Sequence, residues 1–254
     1  MGITDQLCRV PSQGRRGHWA HWPARIGVAA MLMIGGSASA ATLAGRQVTA
    51  AGLFGTTEIR SSRLAVFGKW TGMLARFTAE RARAAKCRPT RFARCFLRDW
   101  DAFIADLRNR DPRAQIEAVQ AHMNLSPYIT DPRNWGVRDY WATPREFLRK
   151  DGDCEDYAIA KYMALRALGF AADQLRVVVL QDLNLNVPHA ILVVYLDGRA
   201  LVLDNQISRV IDAAAIHHYR PIYSINENAW WLHRLRAAGP NPRYRRPGRR
   251  TRGG

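Results

Sequence analysis

The chain has 254 residues, 38 Lys+Arg against 21 Asp+Glu, and 48% hydrophobic residues. That length suits one domain or two small ones, and the apolar fraction supports a packed core rather than global disorder. No run of about 18 apolar residues occurs, which excludes a multi-span membrane protein. The four cysteines form no CxxC pair, so a disulfide scaffold and a zinc ribbon are excluded as well.

Residues 1–40 read as an export signal. A basic segment ends at Arg25, the apolar stretch Ile26–Gly36 follows, and Ala38-Ser39-Ala40 fits a small-x-small cleavage site. Cleavage after Ala40 places the mature chain outside the cytoplasm. Residues 240–254 carry six arginines and no acid among Pro and Gly, which predicts a disordered tail. Between these ends lies one body, residues 41–239. Its 28 Lys+Arg and 20 Asp+Glu make it moderately basic. A solvated tail explains the remaining charge, and no nucleic-acid partner is expected.

Apolar residues at three- and four-residue steps (Leu64, Phe67, Trp70, Leu74, Phe77) predict a helix over 62–85. Cys87 and Cys95 flank a loop-like stretch with Pro89, and an oxidising compartment makes them a plausible local disulfide. A second helix is expected over 97–108. A third opens with Asp111 as N-cap and Pro112 at its first position. Residues 124–143 are turn-rich. Thr143-Pro144 caps a short helix to Lys150, and a strong helix runs from Cys154 to Leu168, ended by Gly169.

Beyond that helix the period changes to two or to continuous apolar runs. Strands are expected over 175–180, 189–196 and 199–204, with Asp197-Gly198 as a two-residue hairpin loop. The order predicts an α+β domain, helices first and an antiparallel sheet after. The hairpin register sets Leu196 opposite Arg199 and His189 opposite Gln206. Asp204 then lies diagonal to His189 on the same face, about 7–8 Å away backbone to backbone, and their side chains can hydrogen-bond.

Chemistry converges on these positions. With Cys8 removed in the signal and Cys87 bridged to Cys95, Cys154 is left over. It opens a helix, where the dipole and outward N–H groups favour a thiolate. His189 supplies a base and Asp204 an orienting acceptor, completing a nucleophile–base–acid set. Asp153, Glu155 and Asp156 flank the thiol. Three carboxylates oppose its activation unless they point away or a cation neutralises them. An oxygen-only ligand set of this irregular kind favours Ca²⁺ over Mg²⁺. His122, His217, His218 and His233 have no ligand spacing and read as surface or packing residues. Trp230-Trp231 reads as core, with a protein-binding surface as the alternative.

The stretch Asp151-Gly152-Asp153-Cys154-Glu155-Asp156-Tyr157, then His189-Ala190-Ile191-Leu192 and Leu203-Asp204-Asn205-Gln206, resembles the bacterial transglutaminase-like cysteine peptidases of the LapG type. Trp135–Pro144, Tyr223–Glu227 and Trp230-Trp231 extend the resemblance to about residues 70–233. One departure is Asp151, where a Gly is expected before Gly152. The resemblance implies a papain-like core and a periplasmic Cys154-His189-Asp204 endopeptidase. It also implies Ca²⁺ dependence through Asp153, Glu155 and Asp156. The implied substrate is a very large surface adhesin, cut near its N-terminal region to release a biofilm. The implied partner is an inner-membrane cyclic-di-GMP receptor that sequesters the enzyme. Cys154 N–H is the natural first oxyanion donor, with Trp141 or Asn134 as candidates for the second. A transglutaminase using the same triad, and a non-catalytic binding module, are the alternatives.

Overall fold

The computed structural model describes residues 52–91 and 93–235. The expected signal segment and arginine tail lie outside the described residues.

The elements alternate in character along the chain. Strand β1 (Thr56–Ser61) precedes helices α1 (Gly68–Ala84), α2 (Phe96–Leu107), α3 (Pro112–Met123), α4 (Asp131–Asn134), α5 (Pro144–Lys150) and α6 (Cys154–Ala167). Strands β2 (Leu175–Asp182), β3 (Val187–Leu196), β4 (Arg199–Leu203), β5 (Ile211–Asp212), β6 (Tyr219–Ile225) and β7 (Trp230–Leu235) follow. All seven strands form one antiparallel sheet in the order β1-β7-β6-β2-β3-β4-β5. The expected order of helices before strands is corrected by β1. It precedes every α-helix and forms one edge of the sheet by pairing with β7 at the other end of the described chain.

Local chemistry sets several boundaries. Asp111 caps α3 by accepting from Ala114 N at 3.0 Å, and Pro112 fills the first position. Thr143 and Glu146 form a reciprocal capping box on α5. Helix α1 begins at Gly68 rather than residue 62, because Leu64–Val66 forms a separate single turn. Cys87 and Cys95 are bridged, as the loop between them suggested.

The core divides across the sheet. Ala190, Leu192 and Val194 of β3 join the cluster that holds Trp70, Trp100, Ile116, Tyr162 and Leu165 from the helices. Ile191 and Val193 join a second cluster with Leu53, Val178, Leu180, Val202, Ile216 and Tyr219. Strand alternation is the cause, since neighbouring side chains point to opposite faces. Helix α6 is buried along almost its whole length and packs on β3 and β2. No helix among the described residues is long and apolar enough to cross a membrane.

Candidate active site and acid cluster

The β3–β4 hairpin has the expected register, with Leu196 opposite Arg199 and Leu192 opposite Leu203. Asp197 and Gly198 both take positive φ, as a two-residue hairpin turn requires. The consequence is a direct hydrogen bond between His189 Nε2 and Asp204 Oδ1 at 2.9 Å, with both side chains buried. Gln206 Nε2 approaches the other ring nitrogen, Nδ1, at 3.4 Å.

Asp204 is held from several directions. Its Oδ2 accepts from the Tyr219 hydroxyl at 2.6 Å, and its Oδ1 also accepts from Gln206 N at 2.8 Å. Gln120 of α3 and Asn124, the residue just after that helix, donate to its backbone carbonyl at 2.7 and 2.9 Å. Burial alone would raise the Asp204 carboxyl. The His189 charge and the hydrogen bonds from His189, Tyr219 and Gln206 overcome burial and hold it down at about 2. Asp204 is therefore an anion at any ordinary pH.

His189 stands at the start of β3 in line with Ile191 and Val193, and its ring centroid is 6.0 Å from that of Tyr219. Cys154 is the first residue of α6 and is buried. Its sulfur lies 3.3 Å from Glu155 Oε2, on the acid side of the site, and is not part of the His189–Asp204 hydrogen-bonded pair. Cys154 is recorded as disulfide-bonded in this structure.

The three acids around Cys154 do not stand alone. Asp131, Asp153 and Asp156 bring one oxygen each within 4.8 Å of one another, and Asp131, Asp139 and Glu155 do the same. The fold ties these acids together. Asp131 N donates to Asp153 Oδ2 at 3.2 Å, Ala142 N to Asp156 Oδ1 at 2.7 Å, and Asp153 N to Asp156 Oδ2 at 3.4 Å. Tyr140 N donates to Asp131 Oδ2, and Lys69 pairs with Asp139. Gly152 permits the close approach of Asp156. A Cβ at residue 152 would lie 2.2 Å from Asp156 Oδ2.

Like charges at this density cannot all ionise at ordinary pH without a counter-ion. Burial, then the neighbouring Asp139, pushes the Asp131 carboxyl up to about 6. Burial, then Asp131, pushes Asp153 up to about 7. Burial, then Asp153, raises Glu155 and Asp156 well above the carboxylate range. The buried Oδ1 atoms of Asp131, Asp139 and Asp153 accept no hydrogen bond among the described residues. Orphaned, buried, acceptor-only oxygens in an all-carboxylate set suit a hard cation such as Ca²⁺. Sequence reasoning found Asp153, Glu155 and Asp156 but missed Asp131 and Asp139. They sit in the turn-rich segment, and only the fold carries them to the start of α6.

The two candidates for a second oxyanion donor separate. Asn134 Nδ2 is engaged with Asp151 O at 3.1 Å. The buried Trp141 indole N–H has no partner among the described residues. Of the four other histidines among the described residues, His233 is more than an ordinary packing residue. It bonds Thr56 Oγ1 and Ser224 Oγ, each at 2.9 Å, and so ties β1 and β6 to β7. Trp231 is buried, as a core role requires.

The family model described as bacterial transglutaminase-like cysteine proteinase BTLCP matches residues 89–234. Among solved structures, Legionella pneumophila LapG is similar at 33% identity and TM-score 0.52, covering 61% of this chain and 87% of that chain. Calcium-bound L. pneumophila LapG is similar at 33% identity and TM-score 0.53 over the same shares. The EGTA-treated form gives 33% identity and TM-score 0.52, over 61% of this chain and 84% of that one. No curated protein matches. An α+β transglutaminase-like fold, the BTLCP match and the similarity to LapG agree: the chain belongs to the bacterial transglutaminase-like cysteine proteinases and is a cysteine peptidase acting on protein.

Proposed function

We propose that the chain is an exported, calcium-dependent cysteine endopeptidase with Cys154 as nucleophile, His189 as general base and acid, and Asp204 as orienter. In this reading it works in the periplasm. It cleaves the N-terminal region of a large surface adhesin, releasing the adhesin and dispersing a biofilm, and an inner-membrane cyclic-di-GMP receptor controls it. The observation that carries the proposal is the buried 2.9 Å bond between His189 Nε2 and Asp204 Oδ1. It commits one ring nitrogen to the carboxylate, so Nδ1, which Gln206 Nε2 approaches at 3.4 Å, is the nitrogen that would take the thiol proton.

In the acylation step, the Cys154 thiol gives its proton to His189 Nδ1 and its sulfur attacks the scissile carbonyl carbon. The tetrahedral oxyanion takes hydrogen bonds from Cys154 N–H and the Trp141 indole N–H. The C–N bond then breaks, His189 protonates the leaving amine, and a thioester remains. Water, deprotonated by His189, hydrolyses the thioester and restores the thiol. Asp204 stays ionised throughout and stabilises the imidazolium. Asp131, Asp139, Asp153, Glu155 and Asp156 would hold Ca²⁺, which supplies neutralisation of the negative charge beside the nucleophile. Similarity to a calcium-bound LapG structure supports that assignment.

The test uses the reduced enzyme and an N-terminal adhesin fragment. Cys154→Ala, His189→Ala and Asp204→Ala should each abolish cleavage with the fold intact. Chelation should stop cleavage and Ca²⁺ restore it. An active Cys154→Ala protein overturns the triad, as does a crystal structure of the reduced enzyme with the sulfur and imidazole separated by the sheet. Full activity in excess chelator removes the cation. A labelled amine captured into product in place of water would make the enzyme a transglutaminase.

A further inference from the structure

The segment from Arg81 to Arg98 holds seven basic residues (Arg81, Arg83, Lys86, Arg88, Arg91, Arg94, Arg98) and no acid. All seven are exposed. It covers the end of α1, the Cys87–Cys95 loop and the first turn of α2. The disulfide closes the loop, so the charges cannot spread apart as they would in a free chain.

Two hollows adjoin at Cys87. One, of about 490 Å³, is bordered by Arg81, Arg88 and Arg98. The other, of about 280 Å³, is bordered by Arg83, Arg94, Arg98 and Arg145. Nearby acids neutralise only part of this charge. Arg81 pairs with Asp101 and Arg94 with Asp99, both at 2.6 Å, and Arg145 with Glu80 at 3.6 Å. Arg83, Lys86 and Arg98 have no carboxylate within 4.0 Å among the described residues.

We propose that this arginine face docks on the phosphate headgroups of an anionic lipid surface. Guanidinium groups grip phosphate oxygens with paired N–H donors, and many exposed cations held close together suit a dense array of anions. A groove that reads an acidic peptide would need apolar anchors. Among the described residues of 81–98, no large apolar side chain is exposed. The six arginines of residues 240–254 add a second polybasic segment of the same preference.

The full chain is mixed with phosphatidylcholine vesicles and with vesicles that also contain phosphatidylglycerol, and the ratio of the two affinities is read. The ratio should be high at low salt and collapse at high salt. The Arg83→Glu/Arg98→Glu double variant should lower it at least about tenfold. Arg83→Gln/Arg98→Gln should give a smaller loss, with thermal unfolding and cleavage of a free protein substrate unchanged. Removing residues 240–254 should weaken the ratio yet leave it sensitive to both double variants. An unchanged ratio in the double variants overturns the proposal. So does binding of poly-glutamate that depends on Arg83 and Arg98 while vesicle binding does not.

Discussion

The Tyr219 hydroxyl donates to Asp204 Oδ2 at 2.6 Å while His189 occupies Oδ1 at 2.9 Å, so a tyrosine from β6 and a histidine from β3 share one buried carboxylate. Neither oxygen of Asp204 is left to water, and the carboxylate plane is fixed on both sides. The Tyr219 contact was not legible in sequence, because 15 residues and the intervening strand β5 separate the pair.

Removing this hydroxyl should act on pH dependence as well as on rate. The folded pKa of Asp204 lies at about 2, below its unfolded value of 3.8. Its contribution to stability is therefore fully present above the unfolded value and lost as pH falls through 2. That contribution is on the order of 2 kcal/mol. Tyr219→Phe should raise the folded pKa and shrink the contribution by about 1 kcal/mol. Urea unfolding between acid and neutral pH measures it. Peptidase kcat should drop several-fold with little change in KM, because the carboxylate no longer holds the imidazole as firmly.

The acid cluster makes calcium affinity depend on pH. Without metal, Asp131 stays protonated up to about pH 6 and Asp153 up to about pH 7. Binding a cation must expel these protons, so the apparent affinity should rise as pH increases through 6 and 7. Calorimetry in buffers of different ionisation enthalpy should detect proton release. Asp131→Asn should weaken Ca²⁺ binding about tenfold or more, although residue 131 is 22 positions from Asp153.

Lys161 on α6 is fully buried, and its ammonium has no hydrogen-bond partner among the described residues. Burial pushes it down to about 7, and the nearby Asp204 offsets only part of this. A lysine whose folded pKa falls below its unfolded 10.5 binds fewer protons in the fold. Stability should therefore rise with pH from 7 towards 10.5. Lys161→Met should flatten that rise and stabilise the protein by a few kcal/mol at acidic to neutral pH. Thermal unfolding across the window is the measurement.

Asp151 adopts φ 63° and ψ −167°, a region that is essentially glycine's own. It is the position where the LapG-type motif leads one to expect Gly. Asp151→Gly should relieve the strain and add about 1 kcal/mol of stability, read by denaturant midpoint. The adjacent Gly152→Ala should do the reverse. Its new Cβ would meet Asp156 Oδ2 at 2.2 Å, displacing a carboxylate of the acid cluster and lowering calcium affinity.

Legibility followed sequence distance. The caps of α3 and α5, the Cys87–Cys95 bridge and the β3–β4 register were readable because each rests on residues a few positions apart or on a tight turn. Strands β6 and β7 escaped, since Pro221 and the polar residues Ser224, His233 and Arg234 blur their alternation. Strand β1 escaped for a different reason. Its partner in the ladder is the far end of the described chain, and Thr56, Glu58 and His233 gain meaning only when the two meet.

The sequence by itself determined the α+β class, the helix that opens at Cys154 and the hairpin that faces His189 with Asp204, because periodicity, capping and turn chemistry act locally. Only the tertiary structure decided that Asp131 and Asp139 join Asp153, Glu155 and Asp156, that Tyr219 completes the hold on Asp204, and that β1 adds an edge strand to the sheet. Burial and mutual repulsion of carboxylates are properties of atoms packed in space. They arise only once segments remote along the chain share a low-dielectric interior.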